Sequence, residues 1–468
     1  MSQPLHESND TSGRANGVAS GRLTAAQLGC RFADVAPLLS ADAALAAAER
    51  CHYCYDAPCV AACPTGIDIP GFIRKIGNDN LRGAARDILA ANPLGGMCAR
   101  VCPTEILCEG ACVRNHQDRK PVQIGALQRY ATDHQMQREA EGAPPLFHRA
   151  PDTGRRVAVV GAGPAGLACA HTLALAGHCV TVFDAHAKPG GLNEYGIAAY
   201  KTVDDFAQRE VRWLLSAGGI EIRHGQRLGA DLALDELQRA FDAVFVGVGL
   251  GGTQALAIEG EALGGVQDAV DFIARLRSAD DLTTLPVGRH VVVIGGGNTA
   301  IDAAVQSRKL GAENVALVYR RGSAQMSATW AEQAYAHSEG VTIVEWAKPV
   351  RIVGENGRAA AVEFERTTLD ASGKLAGSGE TLRIAADMVL KAIGQKLVAA
   401  GLDGLETTAD GARIAIDAEG ATSRAGVWAG GDCAGHGATD LTVQAVQDGK
   451  VAARAIDRWL AEQAAQAA

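Results

Sequence analysis

Long apolar runs are absent from this sequence, and none approaches the roughly 18 residues that a membrane-spanning helix requires. An excess of positive charge is absent too: the formal net charge is −9 at pH 7, which argues against nucleic acid or an anionic membrane as the main partner. Met1 to Arg22 is polar and lacks the apolar core of a secretory signal, so we expect a flexible tail and a cytoplasmic location. Aromatic residues make up only 4%, whereas glycine reaches 55 residues, as is typical of nucleotide-binding α/β proteins with many tight turns.

Cysteine, in contrast, is concentrated in two blocks that hold eight of the twelve cysteines. The first reads Cys51-x2-Cys54-x4-Cys59-x3-Cys63-Pro64, and the second reads Cys98-x3-Cys102-x5-Cys108-x3-Cys112. The C-x-x-C opening and the C-x3-C-P end of the first block indicate iron–sulfur ligation, although its middle spacing of four departs from the two of bacterial ferredoxins. Structural zinc is a second interpretation, weakened because the second block has no C-x-x-C. Disulfides are a third, and they suit a small secreted domain better than a chain of this length.

The sequence around the cysteine blocks predicts helices. Residues 41–50 are strong helix formers that lead into the first block. Pro70 to Ala91 carries apolar residues at helical spacing and is predicted as one helix, and Ile124 to Glu139 is predicted as another. A linker rich in proline and glycine at residues 140–154 closes this all-helical first domain.

The pattern then changes to alternating strands and helices. Arg156–Val160 is a predicted buried strand, followed by Gly161-Ala-Gly163-Pro-Ala-Gly166, a helix to Ala176 and a second strand that ends at Asp184. This is the dinucleotide fingerprint in its required context, where the glycines let the backbone approach a pyrophosphate at the positive N-terminus of the helix. Asp184 lies where a carboxylate can accept hydrogen bonds from an adenosine ribose.

A second fingerprint follows, with the strand His290–Ile294, the turn Gly295-Gly-Gly297-Asn-Thr-Ala300 and the next strand Val315–Tyr319. This strand ends in Arg320-Arg321 instead of a carboxylate, and arginine can accommodate a 2′-phosphate. One unit is therefore predicted to bind FAD and the other a nicotinamide cofactor, with NADP as one option. The alternative interpretation is that the two arginines are only a solvated strand end.

The remaining sequence predicts antiparallel strands around Val362–Arg366 with a glycine-rich turn at 373–379. Met388–Gly394 and Val427–Asp432 are predicted buried strands, and a helix begins at about Thr442. A carboxylate at a strand end beside a helix could bind a ribityl hydroxyl of a flavin or simply cap the helix.

The predicted fold class is α/β, with a helical N-terminal iron–sulfur domain followed by two Rossmann-like nucleotide-binding domains. The predicted division of the chain is a tail over 1–30, a helical double [4Fe–4S] domain over 31–150, a first FAD-binding part over 151–268, an NAD(P)-binding domain over 269–396 and a second FAD-binding part over 397–468.

Read in order from about residue 30 to the end, these features resemble the flavin subunit of bacterial NAD-dependent dihydropyrimidine dehydrogenases. The chain is also similar to the N-terminal half of the single-chain eukaryotic enzymes and to glutamate synthase small subunits. The segment Gly190-Gly-Leu-Asn-Glu-Tyr-Gly-Ile-Ala-Ala-Tyr-Lys201 favours the dihydropyrimidine family.

The resemblance implies two [4Fe–4S] clusters with crossed ligation. One would be held by Cys51, Cys54, Cys59 and Cys112, and the other by Cys63, Cys102, Cys108 and, unusually, Gln128. Cys98 would be left over as a small buried residue.

The resemblance also implies the nucleotide contacts. The FAD contacts would be Gly161, Ala162, Gly163, Pro164, Ala165, Asp184, Gly190, Gly191, Leu192, Lys201, Leu228, Gly431, Asp432 and Thr442. The nicotinamide contacts would be Gly296, Gly297, Asn298, Thr299, Arg320, Arg321, Ala392, Ile393 and Gly394. NADPH-using relatives carry one further arginine where this chain has Ser327, so both NAD and NADP are retained.

The function that the resemblance implies is electron input. Hydride would pass from NAD(P)H to the flavin, and the clusters would carry single electrons to an FMN-containing partner subunit, in a heterotetramer, that interconverts pyrimidines and dihydropyrimidines. No side-chain acid, base or nucleophile of this chain is needed for that.

Four alternatives remain open at this point. The chain could be a glutamate synthase small subunit, a ferredoxin- or sulfide-linked oxidoreductase, or a zinc scaffold that only binds nucleotides. A disulfide reductase of the thioredoxin-reductase kind would need a redox C-x-x-C near the flavin, and Cys169, Cys179 and Cys433 are not so spaced.

Overall fold

The computed structural model describes residues 17–435, 437 and 439–467, and the chain divides into two compact units. One unit comprises the described part of Met1–Ala33 together with Ala255–Gly394, and the other comprises Asp34–Gln254 together with Gln395–Ala468. The boundaries expected from the sequence for the iron–sulfur and nucleotide-binding domains stay predictions. Within the described part of the chain, no helix is both long and apolar enough to cross a membrane.

Helices make up the regular structure of residues 17–140. They are α1 (Ala25–Arg31), α2 (Ala41–Ala48), α3 (Pro58–Ala61), α4 (Ile69–Gly77), α5 (Leu81–Ala91), α6 (Gly95–Val101), α7 (Arg114–Gln117) and α8 (Ile124–Ala140). The prediction of an all-helical segment around the cysteines is confirmed.

The flexible tail predicted over residues 1–30 needs correction. Its first sixteen residues lie outside the described residues. Further along, Ala19 exchanges backbone hydrogen bonds with Val287 at 3.1 and 3.0 Å, and Thr24 and Gln27 form a capping box that starts α1. The prediction is therefore wrong for residues 17–30. A capping box satisfies the first amides of α1 and stabilises this short helix, which the polar composition of the segment did not indicate.

The single helix predicted over Pro70 to Ala91 is two helices, α4 and α5. Between them Asp79 has a φ of +56°, which ends the first helix, and the side chain of Asn80 accepts a hydrogen bond from the amide of Gly83 and caps the second. The apolar periodicity continues through the break, since Ile76 and Ile88 are both buried in the same core. Periodicity alone therefore missed the turn.

The chain after the helical segment alternates between strands and helices. The elements up to residue 253 are β1 (Arg156–Val160), α9 (Pro164–Leu175), β2 (Cys179–Asp184), α10 (Leu192–Tyr195), α11 (Phe206–Leu215), β3 (Ile220–His224), α12 (Leu234–Ala240), β4 (Ala243–Val246) and β5 (Gly252–Thr253). Those that follow are β6 (Val266–Asp268), α13 (Ala269–Ser278), β7 (His290–Ile294), α14 (Asn298–Lys309), β8 (Asn314–Val318), α15 (Trp330–Ser338), β9 (Thr342–Val344), β10 (Ala347–Glu355), β11 (Arg358–Leu369), β12 (Leu375–Ala385), β13 (Met388–Lys391), β14 (Gln395–Lys396), β15 (Val427–Ala429) and α16 (Thr442–Ala467).

The unit that contains Asp34–Gln254 is built on a parallel sheet in the order β15-β4-β1-β2-β3. Because alternate residues of a strand point to opposite faces, Val157 and Val159 of β1 pack into one core, whereas Ala158 and Val160 pack into another. The first of these cores also contains apolar residues of α5, α6 and α8. The cysteine-bearing helices and the first nucleotide fold therefore share one core within this unit.

The other unit repeats the plan with a parallel sheet in the order β6-β13-β7-β8-β9 and adds an antiparallel sheet, β10-β11-β12. The glycine-rich turn predicted at 373–379 is shorter, because Gly377 and Gly379 belong to β12. Asp370 sets the turn earlier, since its carboxylate accepts hydrogen bonds from the amides of Ser372 and Lys374 at 2.8 and 3.0 Å.

Candidate cofactor sites

A cavity with about 370 Å³ of empty space is lined by Cys63, Cys98, Cys102, Cys108 and Gln128. We call it the Gln128 cavity. It brings together the four predicted ligands of one cluster and adds Cys98, which is buried.

A second cavity, also with about 370 Å³ of empty space, is lined by Cys51, Cys54, Cys59 and Cys112. We call it the Cys112 cavity. The two cysteine blocks are therefore interleaved in space, because each cavity takes thiols from both. The four predicted ligands of the other cluster all line this cavity.

In both cavities the surroundings favour the neutral thiol over the thiolate unless a cation lies beside it. Burial raises the pKa of Cys59 to about 11, with further contributions from Cys51 and Cys112. The hydrogen bond with Cys98, followed by burial, raises the pKa of Cys102. Cysteine thiolates packed so closely need positive charge to be stable, which the iron of a cluster would supply.

A single metal ion fits these residues less well than a cluster. In the described ranges, no group of three or more His, Cys, Asp or Glu side chains is arranged to hold one ion. A four-iron cluster places each thiolate on a different iron, so its thiolates need not converge on one point. The donor sets of both cavities therefore fit [4Fe–4S] clusters, and the ligand assignment itself stays a prediction.

The amide of Gln128 is held in a defined orientation. This residue lies on α8 and is buried, and its Nε2 donates a hydrogen bond of 2.7 Å to the carbonyl of Gly95. The amide nitrogen is thereby occupied, which leaves Oε1 as the side-chain atom that could bind iron.

The predicted flavin residues come together around the first glycine turn. The amide of Gly190 donates to the carbonyl of Ala162 at 2.7 Å, and a Cβ added to Gly191 would lie 2.7 Å from the Cα of Gly163. Since Gly191 also has a φ of +55°, only glycine allows these two loops to approach so closely. Their backbone forms a cradle at the N-terminus of α9, as pyrophosphate binding requires.

The start of α16 lies beside the same cradle. A Cβ added to Gly431 would lie 2.9 Å from the Cβ of Ala165, and the hydroxyl of Thr442 donates to Oδ1 of Asn193 at 3.1 Å. Asp432 follows β15 in the loop that leads to α16. Val443, the next residue of α16, lines the Gln128 cavity.

Asp184 lies at the end of β2, and its carboxylate braces the glycine turn. It accepts hydrogen bonds from the amides of Ala162 at 2.6 Å and His186 at 2.7 Å. Burial alone would raise its pKa, but the hydrogen bond with the His186 side chain, followed by those from the two amides, holds the pKa of Asp184 below its usual value. The structure thus gives this residue a local role, and its contact with a ribose stays a prediction.

Three further predicted flavin residues lie at the edges of the cradle. Leu192 is 41% exposed at the start of α10, next to the cradle glycines. Leu228 is buried in the core with Val160, and Lys201 ends a short 3-10 turn at Ala199–Lys201. The contact of Lys201 and Leu228 with a flavin stays a prediction.

The predicted nicotinamide residues surround the second glycine turn in the other unit. A Cβ added to Gly295, where φ is +153°, would lie 2.2 Å from the carbonyl of Ala392, so the turn packs directly against the residues after β13. Ile393 and Gly394 continue that segment. Asn298 begins α14 beside Thr299, and its Oδ1 is buried without a hydrogen-bond partner among the described residues. An unpartnered acceptor at this position fits a polar ligand.

Arg320 and Arg321 follow β8, at the same edge of the sheet as the second glycine turn. Arg320 is exposed and Arg321 is half-buried, and neither guanidinium makes a hydrogen bond or ion pair with any described residue. Ser327 lies beside the turn, since its Oγ is 3.2 Å from a Cβ added to Gly297. Both arginines are therefore available to a phosphate.

Comparison with known proteins gives two matching family models. Residues 29–140 match the model described as dihydropyrimidine dehydrogenase domain II, 4Fe-4S cluster, and residues 155–449 match pyridine nucleotide-disulphide oxidoreductase. The chain is 34% identical to the NAD-dependent dihydropyrimidine dehydrogenase subunit PreT of Salmonella typhimurium, over 90% of this chain and 95% of that protein. It is 35% identical to PreT of Escherichia coli K12, over 91% and 97%.

The chain belongs to the PreT family. It is an oxidoreductase built from an iron–sulfur domain and a pyridine nucleotide-disulphide oxidoreductase domain. It is also 33% identical to the small chain of the NADPH glutamate synthase of Escherichia coli K12, over 92% of this chain and 94% of that one. The two families therefore share their architecture.

Solved structures show the same fold as this PreT family member. Mycobacterium tuberculosis FprA in complex with NADPH aligns with a TM-score of 0.57 at 20% identity, over 68% of this chain and 86% of that one. T. acidophilum thioredoxin reductase aligns with a TM-score of 0.52 at 20% identity, over 66% and 99%. The predicted α/β class with a helical iron–sulfur domain is confirmed.

Sequence reasoning missed two ionisable residues that this PreT family member buries beside α5 and α6. Glu210 on α11 is fully buried, and its Oε1 accepts hydrogen bonds from the amides of Gly96 and Met97 at 2.8 and 3.0 Å. Lys450 on α16 is also buried, and its ammonium donates to the carbonyl of Ala91. Burial lowers the pKa of Lys450 to about 8, although the thiolate form of Cys63 would raise it.

The signal for Glu210 was present in the sequence. Helix α11 buries a face that consists of Phe206, Ala207, Glu210, Val211, Trp213 and Leu214. Glu210 occupies an apolar position of this helical repeat, where a carboxylate is out of place unless another group binds it.

Proposed function

We propose that this chain is the electron-input subunit of a dihydropyrimidine dehydrogenase. It passes electrons between NAD(P)H, FAD and two [4Fe–4S] clusters, to or from an FMN-containing partner that interconverts uracil or thymine and their 5,6-dihydro forms. The partnership is a cytoplasmic heterotetramer. Relatives named as subunits of this dehydrogenase support the proposal.

One observation carries the proposal: eight thiols line two cavities in interleaved sets of four, and one of these cavities is reached by the helix that begins beside the flavin cradle. Thr442 contacts Asn193 next to the cradle, and Val443 lines the Gln128 cavity. Ile69 lines both cavities. The Gln128 cavity is thus connected to the flavin cradle through α16 and to the Cys112 cavity through Ile69, and we infer that electrons leave through the Cys112 cavity.

The chemistry comes from the cofactors: when they are bound, a hydride from the nicotinamide reduces the flavin, and the clusters carry its two electrons one at a time. The chain's own residues bind and position them. The N-terminus of α9 and the glycine cradle would hold the pyrophosphate, and seven of the thiols together with Gln128 would hold the iron. Val443 and Ile69 are apolar and buried, so they would limit the access of water between the sites.

The main alternative is the small chain of a glutamate synthase, which the 33% identity to the Escherichia coli protein supports. That subunit would use the same electron path and differ only in the protein that receives the electrons. The two functions are therefore distinguished by partner and not by cofactor.

The test measures what the isolated chain can reduce. Purified without oxygen and freed of other proteins, it should reduce artificial dyes with NADH or NADPH and leave uracil and thymine unchanged. Addition of the FMN-containing dihydropyrimidine dehydrogenase subunit should produce dihydrouracil, whereas addition of a glutamate synthase large subunit should produce no glutamate. Glutamate formation with the second partner would establish the alternative, and uracil reduction by the chain alone would contradict both functions.

A further inference from the structure

A single peptide group connects Glu210 to Gln128. The carbonyl of Gly95 accepts the hydrogen bond from Nε2 of Gln128 at 2.7 Å, and the N–H of Gly96, in the same peptide plane, donates to Oε1 of Glu210 at 2.8 Å. The order of groups is therefore carboxylate, peptide N–H, peptide carbonyl and glutamine amide. Hydrogen bonds in such a chain polarise one another, and a low dielectric strengthens this effect.

The packing around this connection leaves little freedom. A Cβ added to Gly96 would lie 2.5 Å from Cζ of Phe206 and 2.8 Å from Oε1 of Glu210, and one added to Gly95 would lie 2.7 Å from Ile88. Two consecutive glycines thus let α11 and α5 approach the same peptide from opposite sides. The distance between the carboxylate and the amide is set by backbone and not by flexible side chains.

A purely structural role does not explain why residue 210 is a glutamate. Glu210 is 0% exposed, and its Oε2 has no hydrogen-bond partner among the described residues. A buried unpaired carboxylate oxygen is costly, and the uncharged amide of glutamine would accept the hydrogen bonds from Gly96 and Met97 equally well. A carboxyl group at this buried position therefore calls for a function.

We propose that Glu210 is a positioning residue for Gln128: through the Gly95–Gly96 peptide it fixes and polarises the glutamine amide, and so sets the reduction potential of the cluster in the Gln128 cavity. This inference rests on the proposed function, because it requires that Gln128 bind a cluster in that cavity.

The direction of the effect follows from the charges. An ionised Glu210 polarises the peptide, makes the carbonyl of Gly95 more negative and strengthens its hydrogen bond from Gln128. The glutamine Oε1 then becomes more electron-rich and favours the oxidised cluster, which lowers the potential. Protonation of Glu210 weakens this polarisation and raises the potential, as hydrogen bonding and net charge around a cluster do in general.

The charge of Glu210 changes in an accessible pH range. Burial raises its pKa to about 8, against the opposing effects of the Met97 amide and of Arg100. Arg100 on α6 and Asp133 on α8 are the charged groups that act on it. Of the other helices packed on α11, α10 contributes Glu194, which is bound by Gln208 at 3.0 Å, and α9 contributes His171, which packs on Trp213.

The decisive experiment compares wild type with E210Q by redox titration monitored by electron paramagnetic resonance. At pH 6.5 both side chains are neutral, and the potentials of the cluster in the Gln128 cavity should coincide. At pH 9.5 the wild-type potential should be the lower of the two, while the other cluster is unaffected. Glu236→Gln on the exposed face of α12 is the matched control and should change neither.

A double-mutant cycle separates the peptide connection from direct electrostatics. In Gln128→Cys the cluster keeps a ligand but loses the amide that bonds to Gly95. The difference that E210Q produces at pH 9.5 should fall to less than half in this background. An undiminished difference would mean that Glu210 acts only through space, and the positioning role would be wrong.

Two controls keep the result interpretable. Lys450 also titrates near pH 8, but it is present in every variant, so differences between variants isolate Glu210. If E210Q does not retain iron, the wild-type potential must still depend on pH more steeply than that of Gln128→Cys, and equal slopes would overturn the inference. Eight irons per chain with coincident potentials at pH 9.5 would overturn the inference alone, whereas four irons would overturn the proposed function with it.

Discussion

Arg320 and Arg321 hold two positive charges at the end of β8 that no described residue neutralises. Strand ends at this edge of the sheet are where the adenosine ribose of a dinucleotide lies in Rossmann folds. A guanidinium there can bind a 2′-phosphate through charge-assisted hydrogen bonds, which contribute about 1.5–3 kcal/mol each. The ribose hydroxyl of NADH offers no such partner.

We therefore expect the double variant Arg320→Ala/Arg321→Ala to discriminate between the two cofactors. Its kcat/KM for NADPH should fall by roughly 10- to 100-fold, as the loss of one or two such bonds implies, whereas kcat/KM for NADH should change less than about threefold. Steady-state dye reduction with each cofactor measures both. Ser327→Arg is the converse variant and should raise the NADPH value. Equal losses with both cofactors would show that the arginines only support the fold.

At the scale of single residues, the sequence predicted some positions but not the hydrogen bonds that their side chains make. The position of Asp184 followed from the fingerprint, because strand, turn and helix fix where the next strand ends. Its two hydrogen bonds to backbone amides could not be predicted, because they depend on how the turn folds back on that strand. Glu210 was missed for a similar reason: its partners are 113 and 114 residues away in the chain.

At the scale of elements, helices α9 and α16 cross at a contact that only glycine permits. A Cβ added to Gly449 would lie 2.1 Å from the carbonyl oxygen of Ala165 and 3.0 Å from the amide of Cys169. The close approach brings the long C-terminal helix against the first turn of α9, where the flavin pyrophosphate is predicted to bind. Packing at this crossing and flavin binding are therefore linked.

Gly449→Ala should destabilise this unit by about 1–3 kcal/mol, because the extra methyl group forces two backbones apart. It should also weaken flavin retention, since Ala165 would move. The thermal midpoint and the FAD content after gel filtration measure the two effects. Gly29→Ala, in α1, is the matched control: nothing lies within 4 Å of its added Cβ, so the variant should be neutral or stabilised by about 0.5–1 kcal/mol. Equal behaviour of the two variants would refute the crossing argument.

The elements themselves were largely predictable where a motif constrained them. The strands β1 and β7 and the start of α16 match the sequence prediction, because glycine turns and apolar runs mark them clearly. The break between α4 and α5 was not predicted, since Asp79 and Asn80 interrupt the backbone without interrupting the apolar repeat. Turns made by side-chain hydrogen bonds are harder to predict than turns made by glycine and proline.

At the scale of the whole molecule, the arrangement of thiols could not be obtained from spacing alone. Two consecutive cysteine blocks suggest two consecutive sites, yet Cys63 and Cys112 exchange cavities. Only the resemblance to a known family implied crossed sets. The position of Cys98 was not predicted either. This residue lines the Gln128 cavity beside the predicted ligands, although the resemblance gives it no role as a ligand.

Protein purified without oxygen should contain about eight irons and one FAD per chain, as two four-iron clusters and one flavin cradle require. Colorimetric iron, acid-labile sulfide and flavin absorbance provide the numbers. Zinc in stoichiometric amounts, or iron near four atoms per chain, would contradict the two-cluster assignment. Gln128→Cys should leave the iron content unchanged, because a thiolate can replace the amide ligand.

The interleaved cavities also constrain how the protein is made. On the predicted ligand assignment, neither cluster can be completed when only the first cysteine block has left the ribosome, because one cluster needs Cys112 and the other needs Gln128. The Gln128 cavity then lacks its last wall until Val443 is synthesised. At typical rates of about 5–20 residues per second, that interval lasts roughly 15–60 s. We therefore expect that a cluster can be delivered to the Gln128 cavity from this side during translation, until the C-terminal helix docks.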